Sequence, residues 1–151
     1  MRKSFFFAVL GLALTITPVL YSAIDSSPGI AHEVETAGNV GATIHVEPND
    51  RPRAGTSSLV WFALVKRGGQ AIPLSDCNCA LSVYAQPRRS GDRPLQQPAL
   101  SATSAEGRSN LPSARVTFPR AGTYDVVLRG SPKTPGAFNP FQLSYTVTVA
   151  Q

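Results

Sequence analysis

Four residues of this sequence carry chemistry suited to binding a transition metal: His32, His45, Cys77 and Cys79. If a signal peptidase cuts after Ala31, His32 becomes the first residue, and its α-amino nitrogen and imidazole can bind the same copper(II) ion. His45, on the outward face of the first predicted strand, can then supply a third nitrogen. The alternative is that His32 is a disordered terminal residue and His45 a solvent-facing strand residue.

Cys77 and Cys79 are separated by one residue, so in an extended segment both sulfurs point to the same side and can bind a soft ion such as copper(I). In an oxidising compartment they can instead form a disulfide with each other. A disulfide needs Cβ atoms ~3.5–4.5 Å apart, so this bridge requires a turn at Asn78, which Asp76 and Asn78 favour. A third possibility is a pair of buried, unpaired thiols.

The sequence contains no Gly-X-Ser-X-Gly motif, no His-Glu-X-X-His motif and no close pair of acidic residues. A Ser-His-Asp set built on Ser75 and Asp76 would have to recruit His32 or His45 from the N-terminal part of the chain. We therefore expect a protein that is not an enzyme.

Residues 1–31 have the features of a signal peptide. Arg2 and Lys3 provide a positive start, residues 5–14 are apolar or glycine, and Gly29 and Ala31 are small residues at the two positions that the peptidase reads. We expect cleavage after Ala31 and an extracytoplasmic mature domain, periplasmic or secreted, over residues 32–151. The alternative is an uncleaved membrane anchor, because residues 5–23 are long enough to span a bilayer.

Alternation of apolar and polar residues with a period of two predicts an all-β domain. The pattern is clearest over residues 141–149, while residues 58–66 are apolar on both faces and contain Trp61, as in a central strand. About seven strands, with no helical periodicity in the mature part, indicate an immunoglobulin-like antiparallel β-sandwich preceded by a signal-peptide helix. Tyr124 follows a turn at Gly122, and we expect its hydroxyl to bond the backbone of that corner.

A resemblance to known exported domains supports this fold. The features that carry it are Gly55, the Trp61 strand, the turn at residues 68–73 and the corner at residues 121–124. Over about residues 42–150 the chain resembles the immunoglobulin-like domains called YtkA-like and, more distantly, CopC-like copper-resistance domains. The CopC-like resemblance implies copper binding by a histidine that begins the mature chain. Methionine is absent after Met1, which rules out a methionine-rich copper(I) site.

The formal net charge of +5 is mild, and the basic residues are spread over turns, which argues against a nucleic-acid surface. Residues 86–111 predict a long exposed crossover with one short strand near residues 99–102. Within it Arg88, Arg89 and Arg93 form a cluster that could meet an anionic membrane surface or polysaccharide. No aromatic residue interleaves this cluster in the sequence, which argues against base stacking.

Two functional hypotheses follow. The first is an exported, non-enzymatic binding or accessory domain that contacts a partner envelope protein or a surface polymer through the loops at residues 86–111 and 131–140. Membrane contact is expected only if the N-terminal segment is not cleaved. The competing hypothesis is periplasmic copper binding or delivery by His32, His45, Cys77 and Cys79.

Overall fold

A computed structural model describes residues 33–151 of the chain. The predicted signal peptide and His32 lie outside the described residues. Within the described part, no helix is long and apolar enough to cross a membrane.

The described residues form eight strands in two antiparallel sheets, which confirms the predicted β-sandwich. The five-stranded sheet has the order β1-β2-β3-β6-β5 and the three-stranded sheet the order β4-β7-β8. A short 3-10 turn at Leu74–Asp76 precedes β4. In chain order the strands are β1 Val34–Ala37, β2 Val40–Val46, β3 Ser57–Lys66, β4 Cys77–Ala85, β5 Ser101–Ala105, β6 Arg108–Thr117, β7 Gly122–Pro132 and β8 Phe141–Val149.

The core lies between the two sheets and is built from the alternate residues of each strand that point inward. The largest fully buried side chains of this layer include Phe62, Phe118, Leu128 and Tyr145. The hydroxyl of Tyr145 on β8 donates a hydrogen bond of 2.9 Å to the carbonyl of Ala42 on β2, which joins the two sheets. Burial, and secondarily the carboxylates of Glu35 and Glu33, raise the pKa of Tyr145, so the phenol stays a neutral donor.

Tyr124 forms the predicted corner. Its hydroxyl donates a hydrogen bond of 2.7 Å to the carbonyl of Arg120, and the Arg120 backbone N–H donates to the hydroxyl oxygen of Tyr124 at 3.3 Å. The ring packs against Phe118, with centroids 4.9 Å apart. The turn before Tyr124 is therefore tied directly to the core strand that follows it.

Three strand assignments differ from the sequence prediction. In that prediction the first strand starts at Val40. β1 precedes it, paired with β2 through a tight turn at Gly38, whose φ of 62° suits glycine. Residues 71–74 contribute only one bridge, between Ala71 and Val65, because Pro73 cannot continue a ladder. β6 begins earlier than predicted, because pairing with β5 outweighs the polar character of its first residues.

Residues 86–100 connect β4 to β5 and run along the side of the sandwich. The Val83 N–H donates to the Gln96 carbonyl at 2.9 Å, and the Leu95 N–H donates to the Val83 carbonyl at 2.8 Å. The Gln96 side chain reaches the Thr117 carbonyl on β6, at 2.7 Å. The connection is thus bonded to both sheets, and the exposed crossover of the sequence prediction is shorter than expected.

Candidate functional site

His45 lies beside Trp61 in the pairing of β2 with β3. The two rings are stacked, with centroids 3.8 Å apart and planes 2° apart, and the Trp61 indole N–H donates to Glu47 at 3.2 Å. Both residues point to the outward face of the five-stranded sheet, yet His45 is only 7% exposed and Trp61 2%. The expectation of a solvent-facing His45 is therefore wrong, because the indole covers the imidazole.

Cys77 and Cys79 are joined by a disulfide at the start of β4. The expected turn at Asn78 is absent, since Asn78 continues the strand and pairs with Ser131. The two Cα atoms are 5.2 Å apart, against ~6.6 Å for two fully extended steps, so the strand is locally contracted. The contraction replaces the turn that the sequence prediction required.

The disulfide packs inward, against β7. Cys77 is 3% exposed and belongs to the core, whereas Cys79 is partly buried at its margin. A Cβ atom on Gly130 would lie 2.8 Å from the Cys77 sulfur and would overlap the Phe141 ring. Glycine at position 130 therefore leaves the room that the bridge and the ring occupy.

The structure does not bring His45 together with the cysteine pair. His45 is on the outer face of one sheet, and the cysteines are on the inner face of the other with their sulfurs joined. Among residues 33–151 no group of three or more His, Cys, Asp or Glu side chains could hold a metal ion. His32, the remaining predicted ligand, lies outside the described residues.

The outer face of the three-stranded sheet carries a different constellation. The Arg88 guanidinium lies 4.4 Å above the centroid of the Tyr84 ring, and its Nε is 3.5 Å from the carboxylate of Asp125. Arg89 is placed by a turn in which its backbone N–H donates to Asp92 at 2.7 Å. Cation–π contact and charge pairing therefore hold Arg88 in one position over the sheet.

These residues border an open depression of about 520 Å³. Tyr84, Arg88, Arg89 and Arg129, which we call the arginine surface, line it together with Ser90, Gly91 and the acidic Asp92. Arg129 comes from β7, where its Nε donates to the Gln142 side chain at 2.6 Å. The depression thus combines three guanidinium groups from two separate parts of the chain.

Only part of the arginine surface can be recognised in the sequence. Arg88 and Arg89 are neighbours in the chain, but Tyr84 and Arg129 join them through the pairing of β4 with β7. Tyr84 is 8% exposed, since Arg88 covers its ring. The two loops expected to contact a partner lie at opposite ends of the three-stranded sheet. Residues 86–111 begin where β4 ends, whereas residues 131–140 begin where Pro132 pairs with Cys77, at the start of β4.

Comparison with known proteins identifies the fold. No protein-family model matches the chain, and no curated protein matches it. A DUF4426 family protein of Pseudomonas aeruginosa is similar in structure, with a TM-score of 0.55 and 12% identity over 78% of this chain and 96% of that chain. FetP of uropathogenic Escherichia coli, expressed recombinantly in the periplasm, has a TM-score of 0.53 and 14% identity, over 80% and 94%.

A copper-bound variant of FetP is similar to the same degree, with a TM-score of 0.53 and 14% identity over 79% of this chain and 95% of that chain. These neighbours bear out the β-sandwich fold that the resemblance to exported immunoglobulin-like domains implied. At this identity the likeness speaks for the architecture and leaves the choice of site to the residues of this chain.

Proposed function

We propose that this chain is an exported, non-enzymatic binding domain whose arginine surface takes a surface polymer bearing carboxylate, sulfate or phosphate groups. The observation that carries the proposal is the grouping of Arg88, Arg89 and Arg129 around one open depression. Guanidinium groups bind such anions through paired, charge-assisted hydrogen bonds. The signal-peptide features of residues 1–31 and the periplasmic expression of FetP support export.

The geometry favours a flexible polyanion over a nucleic acid. Base recognition in single strands relies on exposed aromatic faces, and the face of Tyr84 is occupied by Arg88. The Arg88 side chain is held by Tyr84 and Asp125, so less conformational entropy is lost when a ligand binds. Two of the four residues, Tyr84 and Arg129, lie on paired strands, which makes the surface rigid.

The test is binding of a sulfated polysaccharide, heparin, as a probe, measured by calorimetry at several salt concentrations. The double variant Arg88→Gln, Arg129→Gln should weaken binding at least tenfold and flatten its salt dependence, because two charge-assisted contacts are lost. Arg51→Gln, in an exposed turn, is the matched control and should bind like the parent protein. Equal affinity in the double variant, or equal binding of neutral dextran, would contradict the proposal.

A second candidate function is copper(II) binding, and the pairing of β1 with β2 favours it. Val34 pairs with Thr43, and the Ile44 N–H donates to the Glu33 carbonyl at 3.4 Å, so the ladder reaches the first described residue. In this hypothesis His32, which directly precedes Glu33 in the sequence and lies outside the described residues, joins His45 in binding copper(II). The copper-bound FetP neighbour supports it, and the cysteines drop out of the ligand set because they are bridged.

Trp61 provides the readout for this second candidate. Because its indole is stacked on His45, copper(II) at that imidazole should quench the fluorescence of the chain's single tryptophan. In a mature protein that starts at His32, the substitution His32→Ala should lower copper(II) affinity at least tenfold, whereas Cys79→Ser should leave it unchanged. A titration without quenching, or equal affinity in His32→Ala, would count against copper.

A further inference from the structure

A groove of about 470 Å³ crosses the outer face of the five-stranded sheet, opposite to the arginine surface. Two cross-strand rows form it. In one row Thr36, Gly41 and Val65 lie side by side on β1, β2 and β3, and in the other row Val34 and Ala63 flank Thr43. The floor is thus made of small residues between taller side chains, on a sheet face that is ordinarily polar.

Gly41 lies on the floor of the groove, and the backbone does not require a glycine there. A Cβ atom at this position would meet the Thr36 methyl at 3.5 Å and a Val65 methyl at 3.9 Å, which are ordinary contacts, and Gly41 does not have a positive φ. Alanine or a β-branched residue is normally preferred within a strand. The room above Gly41 is therefore open to a ligand.

The two ends of the groove differ in character. Val34, at one margin, is 62% exposed, which makes it the most exposed large apolar side chain of the described residues. At the other end Lys66, Arg67 and Arg108 line the groove. No acidic residue of the described part lines it, so the three positive charges are not balanced within the groove. An apolar channel that ends at cations complements an amphiphile with an anionic head.

We propose that this groove binds a free fatty acid. The acyl chain lies over Val34, Ala63 and Gly41, and the carboxylate meets Lys66, Arg67 and Arg108. The volume falls within the range of about 300–1,000 Å³ that is usual for small-molecule sites, and a largely apolar lining with a few polar groups at one end is typical of them. This inference is independent of the polymer proposed for the other sheet, because the two sites share no residue.

The test is calorimetric titration of the protein with decanoate, at decanoate concentrations below those at which it forms micelles. Gly41→Val should fill the floor and lower the affinity at least tenfold, because the acyl chain loses its contact area. Ala80→Val adds two methyl groups at an exposed position on β4, outside the groove, and should leave the affinity unchanged. Gly41→Ala, which adds only the contacts given above, serves as a smaller variant if Gly41→Val does not fold.

Two further arms separate the parts of the proposal. Lys66→Gln with Arg108→Gln should weaken decanoate at least tenfold and leave neutral decanol unchanged, because only the carboxylate meets the cations. Titration with anionic phospholipid vesicles tests whether the groove binds a membrane surface instead of a free fatty acid. Failure of decanoate to bind, unchanged binding in Gly41→Val, or vesicle binding without decanoate binding would overturn the proposal.

Discussion

His45 lies flat on the indole of Trp61, across the pair of strands β2 and β3, with the ring centroids 3.8 Å apart. His45→Ala should uncover one face of the indole, shift its fluorescence to longer wavelength and lower the free energy of unfolding by about 1 kcal/mol or more. His45→Phe keeps an aromatic ring in place and should retain most of that stability. Urea denaturation of the two variants, followed by tryptophan fluorescence, checks this, and equal losses would argue against stacking as the cause.

Tyr124 holds its corner through a hydroxyl that both donates to and accepts from the backbone of Arg120. Tyr124→Phe removes both hydrogen bonds and keeps the buried ring, so we expect a loss of about 1–2 kcal/mol in unfolding free energy. Tyr84→Phe is the control, because the contact of its ring with Arg88 does not need the hydroxyl. A Tyr124→Phe protein as stable as the parent would show that the corner bonds contribute little.

The Cys77–Cys79 bridge closes a very short loop, so it restricts the unfolded chain only slightly. The chain entropy removed by a loop of this length corresponds to about 1–2 kcal/mol, so we expect the reduced protein to stay folded with a modest fall in melting temperature. Intact-mass measurement after alkylation checks the bridge itself. Protein isolated under oxidising conditions should take up no alkylating group until it is reduced, and labelling of both thiols beforehand would contradict the bridge.

Glu33 makes stability depend on pH. Burial raises its pKa above the ordinary value of 4.5, the backbone N–H of Thr146 opposes this by lowering it, and the nearby Glu35 raises it further. Because the folded state disfavours the ionised form, the carboxyl destabilises the protein as pH rises from about 4.5 through its raised pKa. Below this pH range the Glu33 carboxyl is protonated in both the folded and the unfolded state, so it no longer destabilises the folded protein.

Glu33→Gln keeps an oxygen for the Thr146 N–H and removes the charge. We therefore expect the variant to melt at a higher temperature than the parent at pH 7, and the gain to disappear at pH 4. Glu106→Gln, in the exposed turn between β5 and β6, is the control and should show no such dependence. Thermal unfolding at the two pH values checks this, and an equal gain at both would exclude titration of Glu33 as the cause.

Local pattern was enough to predict the strands whose burial follows their own sequence. Residues 141–149 alternate strictly and form β8 with the predicted bounds, and the apolar run around Trp61 is a central strand. β1 could not be predicted in this way, because its four residues gain their strand conformation from pairing with β2. Strands that depend on a partner leave little trace in their own sequence.

The candidate sites depend on register, which sequence alone did not supply. Arg88 and Arg89 are adjacent in the chain and were visible as a cluster, whereas Arg129 reaches them only through the pairing of β7 with β4. The burial of His45 likewise follows from its place opposite Trp61. Since a shift of register by one residue would turn each of these side chains to the other face, the sites are properties of the sheet pairing.

The connection formed by residues 86–100, which runs along β4, also affects self-association of the protein. An open sheet edge is a template for pairing with another copy of the chain, and β4 and β8 are the edges of the three-stranded sheet. Leu95 and Gln96 already bond both backbone polar groups of Val83 on β4, and the Glu33 carboxylate accepts the Thr146 N–H on β8. Each edge of the three-stranded sheet is therefore partly blocked, which hinders pairing of this sheet with another copy of the chain.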